Sequence, residues 1–350
     1  MDNNSDQRPR VVTPGVTWET RTPEQVGLSC TGLDALKDLV GGRGCVTRYG
    51  TMAYSWGDPG KRADVASASK PVNTHFLLKA LEAGKIVSLD EKVSMWEPRL
   101  NDINAALGNV DRNITWRHMA NQISCYGLVE APGTAFDYND WQMVLFCDAL
   151  YLKVYGATWQ TVDARVLAPG LTDPLQCEDD PTLLAFGIED RPGRLGISPR
   201  DFCRFGLLYL RKGNWGGKQL LSEGHAAMAV TDSLPATLPR AGFQAAEMIP
   251  GQRSHGSTRI PDNQSDHWGG YSWLWWVNGV DQQGQRMWPD APAETFGAFG
   301  HGGPRAMFVL PSLDIVVSYN DAIGLNTWIN GPDNPTDQVM KLLRDAVRQP

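Results

Sequence analysis

Ser67-Ala68-Ser69-Lys70-Pro71 is the stretch on which the reading of this 350-residue chain turns. Its S-x-x-K spacing puts a hydroxyl and an amine one turn apart on the same helical face, where the amine can take the hydroxyl proton. Proline is tolerated only near the first turn of a helix, so Pro71 places the helix start close to Ser67. The hydroxyl then sits at the positive end of the helix dipole, beside unpaired backbone N–H groups. A nucleophile with a backbone oxyanion donor needs that arrangement. A surface serine followed by a solvated lysine has the same spacing, so the surrounding sequence has to decide.

Upstream, Pro23 to Leu39 carries Leu33, Leu36 and Leu39 at helical spacing and stops at Gly41-Gly42. Residues 45–49 and 52–56 then alternate around Gly50 as a β-hairpin. Downstream, helical periodicity dominates to about Leu221. Phe76, Leu77, Ala80, Leu81 and Ala83 form one stripe; Trp141, Leu145, Ala149 and Leu152 form another. Ser198, Pro199 and Asp201 open a further helix as N-cap, first residue and third-position acid. The period returns to two over Ser272–Val277, Ala306–Leu310 and Ile315–Tyr319, and Asp337–Val347 reads as a closing helix. Strands at both ends can share one antiparallel sheet only if the helical middle is inserted. The expected division is a flexible lead-in over 1–20, a sheet lobe from 21–70 plus 265–350, and an inserted helical lobe with long loops over 71–264.

With 32 Lys plus Arg against 39 Asp plus Glu, the formal net charge is −7. A nucleic acid or an anionic membrane would want a basic face instead. Hydrophobic residues at 42% and charged residues at 20% describe a globular chain, and no apolar run approaches the roughly 18 residues of a membrane span. Met1 to Asp6 is polar with no apolar stretch behind it, so no secretory signal is read and a cytoplasmic location is expected. Six cysteines without a C-x-x-C pair are then expected as reduced thiols, with Cys147 and Cys203 acting as small core residues. His255, Asp262, Asp266 and His267 share one loop at irregular spacing, which reads as solvated polarity and not as a metal site. Trp268, Trp273, Trp275, Trp276 and Trp288 read mainly as core packing, with an apolar pocket as the other option. Alternation would send Trp273 and Trp275 to one face and Trp276 to the other.

Two further groups carry chemistry. Pro132-Gly133 delivers Tyr138-Asn139-Asp140 just ahead of a helix, so the phenol can project toward a site. Phe299-Gly300-His301-Gly302-Gly303-Pro304 stands directly before a strand, and its glycines permit close approach to backbone. In this order, and with Leu81-Glu82-Ala83-Gly84-Lys85 and Arg204-Phe205-Gly206-Leu207-Leu208-Tyr209 between them, the motifs resemble the serine β-lactamase and penicillin-binding-protein superfamily. The resemblance spans 20–345 and is strongest to class C β-lactamases and family VIII carboxylesterases.

It implies an α/β (α+β) fold of the β-lactamase/transpeptidase type, an antiparallel sheet flanked by helices and built from both chain ends around a helical insertion. It also implies that Ser67 is acylated, that Lys70 and Tyr138 are its acid–base pair, and that His301, Gly302 and Gly303 line the oxyanion side. No metal or organic cofactor is required. Asp140, Asn139 and Arg305 are candidate supporting residues, and three departures from the family pattern concern them. The third residue of the family's Y-x-N motif is Asp140, an acceptor only when ionised. Either Asp140 points elsewhere or Asn139 does part of its job. His301 replaces the family's K-T-G lysine and attracts a carboxylate less strongly, which favours uncharged esters or amides over β-lactams, although Arg305 could restore an anchor. Pro304 stands where the family takes an oxyanion N–H, leaving Gly303 or Arg305 as donors. The expected function is hydrolysis of a small ester or amide through an acyl-enzyme. A β-lactamase or D-amino-acid peptidase is the first rival, and a catalytically silent binding protein is the second.

Overall fold

The computed structural model describes residues 10–325 and 335–348. Seven strands form its central sheet: β1 (Arg43–Arg48), β2 (Thr51–Trp56), β3 (Tyr271–Ser272), β4 (Trp275–Val277), β5 (Phe296–Gly300), β6 (Arg305–Leu310) and β7 (Ile315–Asn320). Their order is β2-β1-β7-β6-β5-β4-β3, every pair antiparallel. The two ends of the chain meet where β1 pairs β7 from Arg43 opposite Asn320 to Arg48 opposite Ile315. The antiparallel α/β architecture expected from the patterning is the one found.

The helices are α1 (Cys30–Val40), α2 (Lys70–Glu82), α3 (Trp116–Ala120), α4 (Asp140–Cys147), α5 (Pro199–Leu210), α6 (Glu223–Thr231) and α7 (Thr336–Ala346). Helix α4 continues as a π-helix over Asp148–Val154, a second π-helical stretch covers Asp163–Thr172, and the remaining helical pieces are short turns. Strand β7 is buried at all six positions, so both sheet faces are covered. Helix α5 covers one face, where Gly206 lets it approach Met307, Val309 and Val316. Its N-cap is Ser198, whose Oγ accepts the Asp201 N–H at 3.2 Å. Phe308 points to the other face and meets Trp288, whose indole N–H bonds Thr336 at the start of α7. Helix α1 packs against α7 in that layer.

Three expectations change. Helix α1 begins at Cys30 and not near Pro23: Ser29 caps it, and residues 24–26 form a separate turn ended by Gly27 at φ 71°. The run Ser272–Val277 is not one strand. Trp273 and Leu274 have φ 46° and 68°, and form a two-residue turn that folds β3 back onto β4. Trp275 and Trp276 do face opposite ways as alternation expects, onto Phe205 and Phe299, but Trp273 lies in the turn and does not share a strand face with Trp275. The lead-in is held where it is described: Val12 N–H donates to Tyr49 O, Met52 N–H donates to Glu19 O, and Arg204 donates to Gly15 O. Residues 1–9 of that expected lead-in lie outside the described residues. No helix among the described residues is long and apolar enough to cross a membrane.

Candidate active site

Ser67 sits in the turn Ala66–Ser69, which runs directly into α2 at Lys70. Ala66 holds φ 52°, a left-handed conformation unusual for a residue with a Cβ, and this sharp turn presents the half-buried Ser67 hydroxyl to a cleft. Lys70, one turn on and 4% exposed, donates from Nζ to Ser67 Oγ at 2.8 Å. Pro71 is accommodated in the first turn of α2, where its missing N–H costs nothing.

Tyr138 comes from the loop before α4, and Lys70 Nζ lies 4.4 Å from its ring centroid. The same ring stacks on Trp276 at 27°, and Trp276 in turn stacks on Phe299 at 18°. Tyr138, about 70 residues further on, thus places its ring against the amine that holds Ser67, and Ser67 and Tyr138 line the same cleft.

The two residues after Tyr138 divide clearly. Asn139 is the cap of α4: its Oδ1 accepts from Trp141 and Gln142 N–H, and its amide donates to Tyr126 O and Asp137 Oδ2. Its side chain is consumed there, so of the two alternatives raised for this motif, the one in which Asn139 takes over part of Asp140's job has no free group to support it. Asp140 instead faces the lysine, with Oδ1 3.7 Å from Nζ. Burial works against its charge, but Lys70, helped by Arg194 and by a hydrogen bond with Gln264, more than offsets this and holds the carboxyl below its ordinary value.

On the sheet side, His301, Gly302 and Gly303 form the turn joining β5 to β6, with φ 54°, 79° and 150°. His301 and Gly302 line the cleft. Burial first, then the charges of Arg305 and Arg194, lowers the His301 pKa and favours the neutral imidazole. The Gly303 N–H donates to Gly300 O at 3.2 Å, closing the turn, so the suggestion that it serves as the second oxyanion donor is corrected. Gly300 lies against the nucleophile turn: a Cβ there would stand 3.2 Å from Ser67 N. Arg305 opens β6 opposite Gly300 and donates to Asp64 Oδ2 at 2.6 Å. Arg194 donates to the same carboxylate at 3.0 and 2.8 Å.

The cleft measures about 910 Å³ and is walled by Phe186, Arg191, Trp276 and Phe299 together with the 255–264 loop. That loop corrects the reading of solvated polarity. His255, Asp262 and His267 are all buried, and the side chains of Asp262 and His267 are held by hydrogen bonds within the fold. Asp262 accepts from the Asp140 N–H and from Ser257 Oγ; His267 contacts Leu238 O and accepts the Gly269 N–H. Burial pushes His255 down to about 3, so it is neutral. No metal-binding cluster of His, Cys, Asp or Glu occurs among the described residues.

Sequence reasoning missed Asp64, Arg194 and His255 as cleft residues. Asp64 reaches the site because Ala63–Asp64 pairs with Gly196–Ile197, a two-residue ladder too short to leave a periodic signal. Trp276 was grouped with the tryptophans but not singled out; among the five, it is the one in the cleft lining.

No protein-family model matches the chain, and no curated protein matches it. Solved structures do. A Bacillus anthracis protein described as a 6-aminohexanoate-dimer hydrolase is 14% identical at TM-score 0.59, covering 90% of this chain and 81% of that one. EstCE1, a hydrolase with promiscuous acyltransferase activity, is 17% identical at TM-score 0.58, covering 92% and 97%. A class C β-lactamase is 13% identical at TM-score 0.55, covering 92% and 98%. At these identities the likeness is one of fold: the chain has the fold of the serine β-lactamase and penicillin-binding-protein superfamily.

Proposed function

We propose that the protein is a serine hydrolase that cleaves small esters, and amides as well, through an acyl-enzyme on Ser67. The observation that carries this reading is the 2.8 Å contact between Lys70 Nζ and Ser67 Oγ, buried beside Tyr138 at the floor of an open cleft. Ser67 Oγ attacks the carbonyl carbon, and its proton passes to the Lys70/Tyr138 pair. The tetrahedral oxyanion forms near the Ser67 N–H at the head of α2. Collapse expels the leaving group, which takes a proton from the same pair. Water then repeats the sequence, the pair accepting its proton, and releases the acid. Coupled groups share such a task, so the pair and not either member is assigned it.

The test is intact-mass spectrometry after treatment with a fluorophosphonate. One adduct on the unmutated protein and none on Ser67→Ala supports the reading. No adduct on the unmutated protein overturns it in favour of a silent binding module. A second reading, a β-lactamase or D-amino-acid peptidase, draws support from Arg305; this cleft residue is already paired with Asp64 and would have to share its guanidinium with a substrate carboxylate. Rates on a chromogenic cephalosporin against a p-nitrophenyl ester separate the two, and a cephalosporin preference would displace the ester reading.

A further inference from the structure

Asp140 stands where the family pattern has an amide, and its carboxylate oxygen lies 3.7 Å from the amine that holds the nucleophile. Resting on the acyl-enzyme reading above, we infer that Asp140 sets the pH range in which Ser67 reacts: paired with Lys70, its negative charge favours an ammonium that must shed a proton before it can take one from the serine. Asp140 is therefore a positioning residue that acts through Lys70.

The other groups around the pair do not substitute for this charge. From the 255–264 loop, His255 is neutral and Asp262 spends its oxygens on the Asp140 N–H, Ser257 and Gln264. From the segment entering α5, Arg194 is committed to Asp64 and to His255 O. From α4, the Cys147 thiol is pushed up to about 12 by burial and stays neutral. On the sheet side, His301 is held toward its neutral form. Tyr138 contributes its ring face. Lys70 is thus enclosed on several sides, and among the described residues Asp140 is the carboxylate within ion-pair distance of it. An anion that close favours the protonated amine, and substituting an amide removes that bias while keeping the shape.

The experiment follows the rate of fluorophosphonate inactivation against pH, read by intact mass, so no natural substrate is needed. In the reaction a Ser67 Oγ–P bond forms, the P–F bond breaks, fluoride leaves, and the serine proton passes to Lys70 and then to water. In Asp140→Asn the acidic limb of the profile is expected about one to three pH units below that of the unmutated protein. In Asp140→Glu, which keeps the charge, the limb is expected close to the unmutated one. Circular dichroism checks that each variant is folded. A limb in the Asn variant coinciding with the unmutated limb overturns the inference. If the Asn variant does not fold, the Glu variant decides: a retained limb supports the role and a limb displaced to lower pH overturns it. Absence of any adduct on the unmutated protein would instead refute the acyl-enzyme reading, so the two failures are distinguishable.

Discussion

Gly300 lies against the backbone of Ser67 so closely that a Cβ on it would come within 3.2 Å of the Ser67 nitrogen and 2.5 Å of Val65 O. The last residue of β5 and the nucleophile turn are therefore in direct backbone contact, with no room for a side chain. Backbone atoms cannot swing aside as a flexible side chain can, so Gly300→Ala must push the strand and the turn apart. A displacement approaching 1 Å costs about 100-fold in rate. Overpacking costs about 1–3 kcal/mol in stability. The variant is expected to fold and to react with a fluorophosphonate about 100 times more slowly. An unchanged rate in a folded Gly300→Ala would show that this contact does not set the geometry at Ser67.

How much of this was legible beforehand depended on the range of each signal. The hairpin, α2 and α5 were readable because hydrophobic period, proline and caps are local. Ser67, Lys70 and Tyr138 were readable because each sits next to such punctuation. Asp64 was not, because nothing in residues 60–66 announces pairing with Gly196, about 130 positions away. The turn at Trp273-Leu274 was hidden for a different reason: two bulky residues occupy a conformation that usually calls for Asn-Gly. The division between Asn139 and Asp140 also needed the structure, since either can cap a helix.

Asp64 receives guanidinium groups from two separate parts of the chain, Arg194 at 2.8 Å and Arg305 at 2.6 Å. Asp64 and Arg194 have side chains only 10% and 9% exposed. Removing the shared acceptor leaves two positive charges facing each other, one of them buried. Breaking a buried pair from one side costs about 3–5 kcal/mol, and the partial exposure of Arg305 favours the lower end. Asp64→Ala should therefore lose about 3 kcal/mol by urea denaturation. A loss below about 1 kcal/mol would place this bridge in the class of ordinary surface ion pairs.

The buried Asp137 predicts a pH dependence of stability. Burial pushes its carboxyl up to about 7, against an ordinary value of 3.8, with only the Asn139 amide favouring the charge at close range. Between those two values the folded protein keeps a proton that the unfolded chain has released. Raising pH therefore draws the equilibrium toward the unfolded chain, and the stability present below pH about 4 is lost progressively up to pH about 7. The slope for one such group is at most about 1.4 kcal/mol per pH unit. Asp137→Asn cannot titrate, so its denaturation midpoint should fall less than that of the unmutated protein between pH 5 and 7. Parallel curves for the two proteins would rule out this residue as the source.

Leu274 sets two effects against each other at a single position. Its φ of 68° is strained for a residue with a Cβ, and glycine would relieve about 1 kcal/mol of that strain. The same side chain is 1% exposed, and truncating a buried leucine costs about 2–5 kcal/mol. Burial outweighs strain on these magnitudes, so Leu274→Gly should be less stable than the unmutated protein despite its freer backbone. Leu274→Ala loses almost the same buried surface but keeps a Cβ at positive φ, so it should be the least stable of the three. The turn is also tethered, since Trp273 N–H donates to Asn121 Oδ1 at 2.9 Å and Thr74 Oγ1 donates to Trp273 O at 2.6 Å. These bonds use the preceding residue's backbone and leave the ordering at 274 to strain and burial alone. Urea midpoints in the order unmutated, Gly, Ala would bear out both effects. A Gly variant more stable than the unmutated chain would mean that strain dominates packing, and an Ala variant above Gly would mean that the left-handed turn relaxes once the leucine is gone.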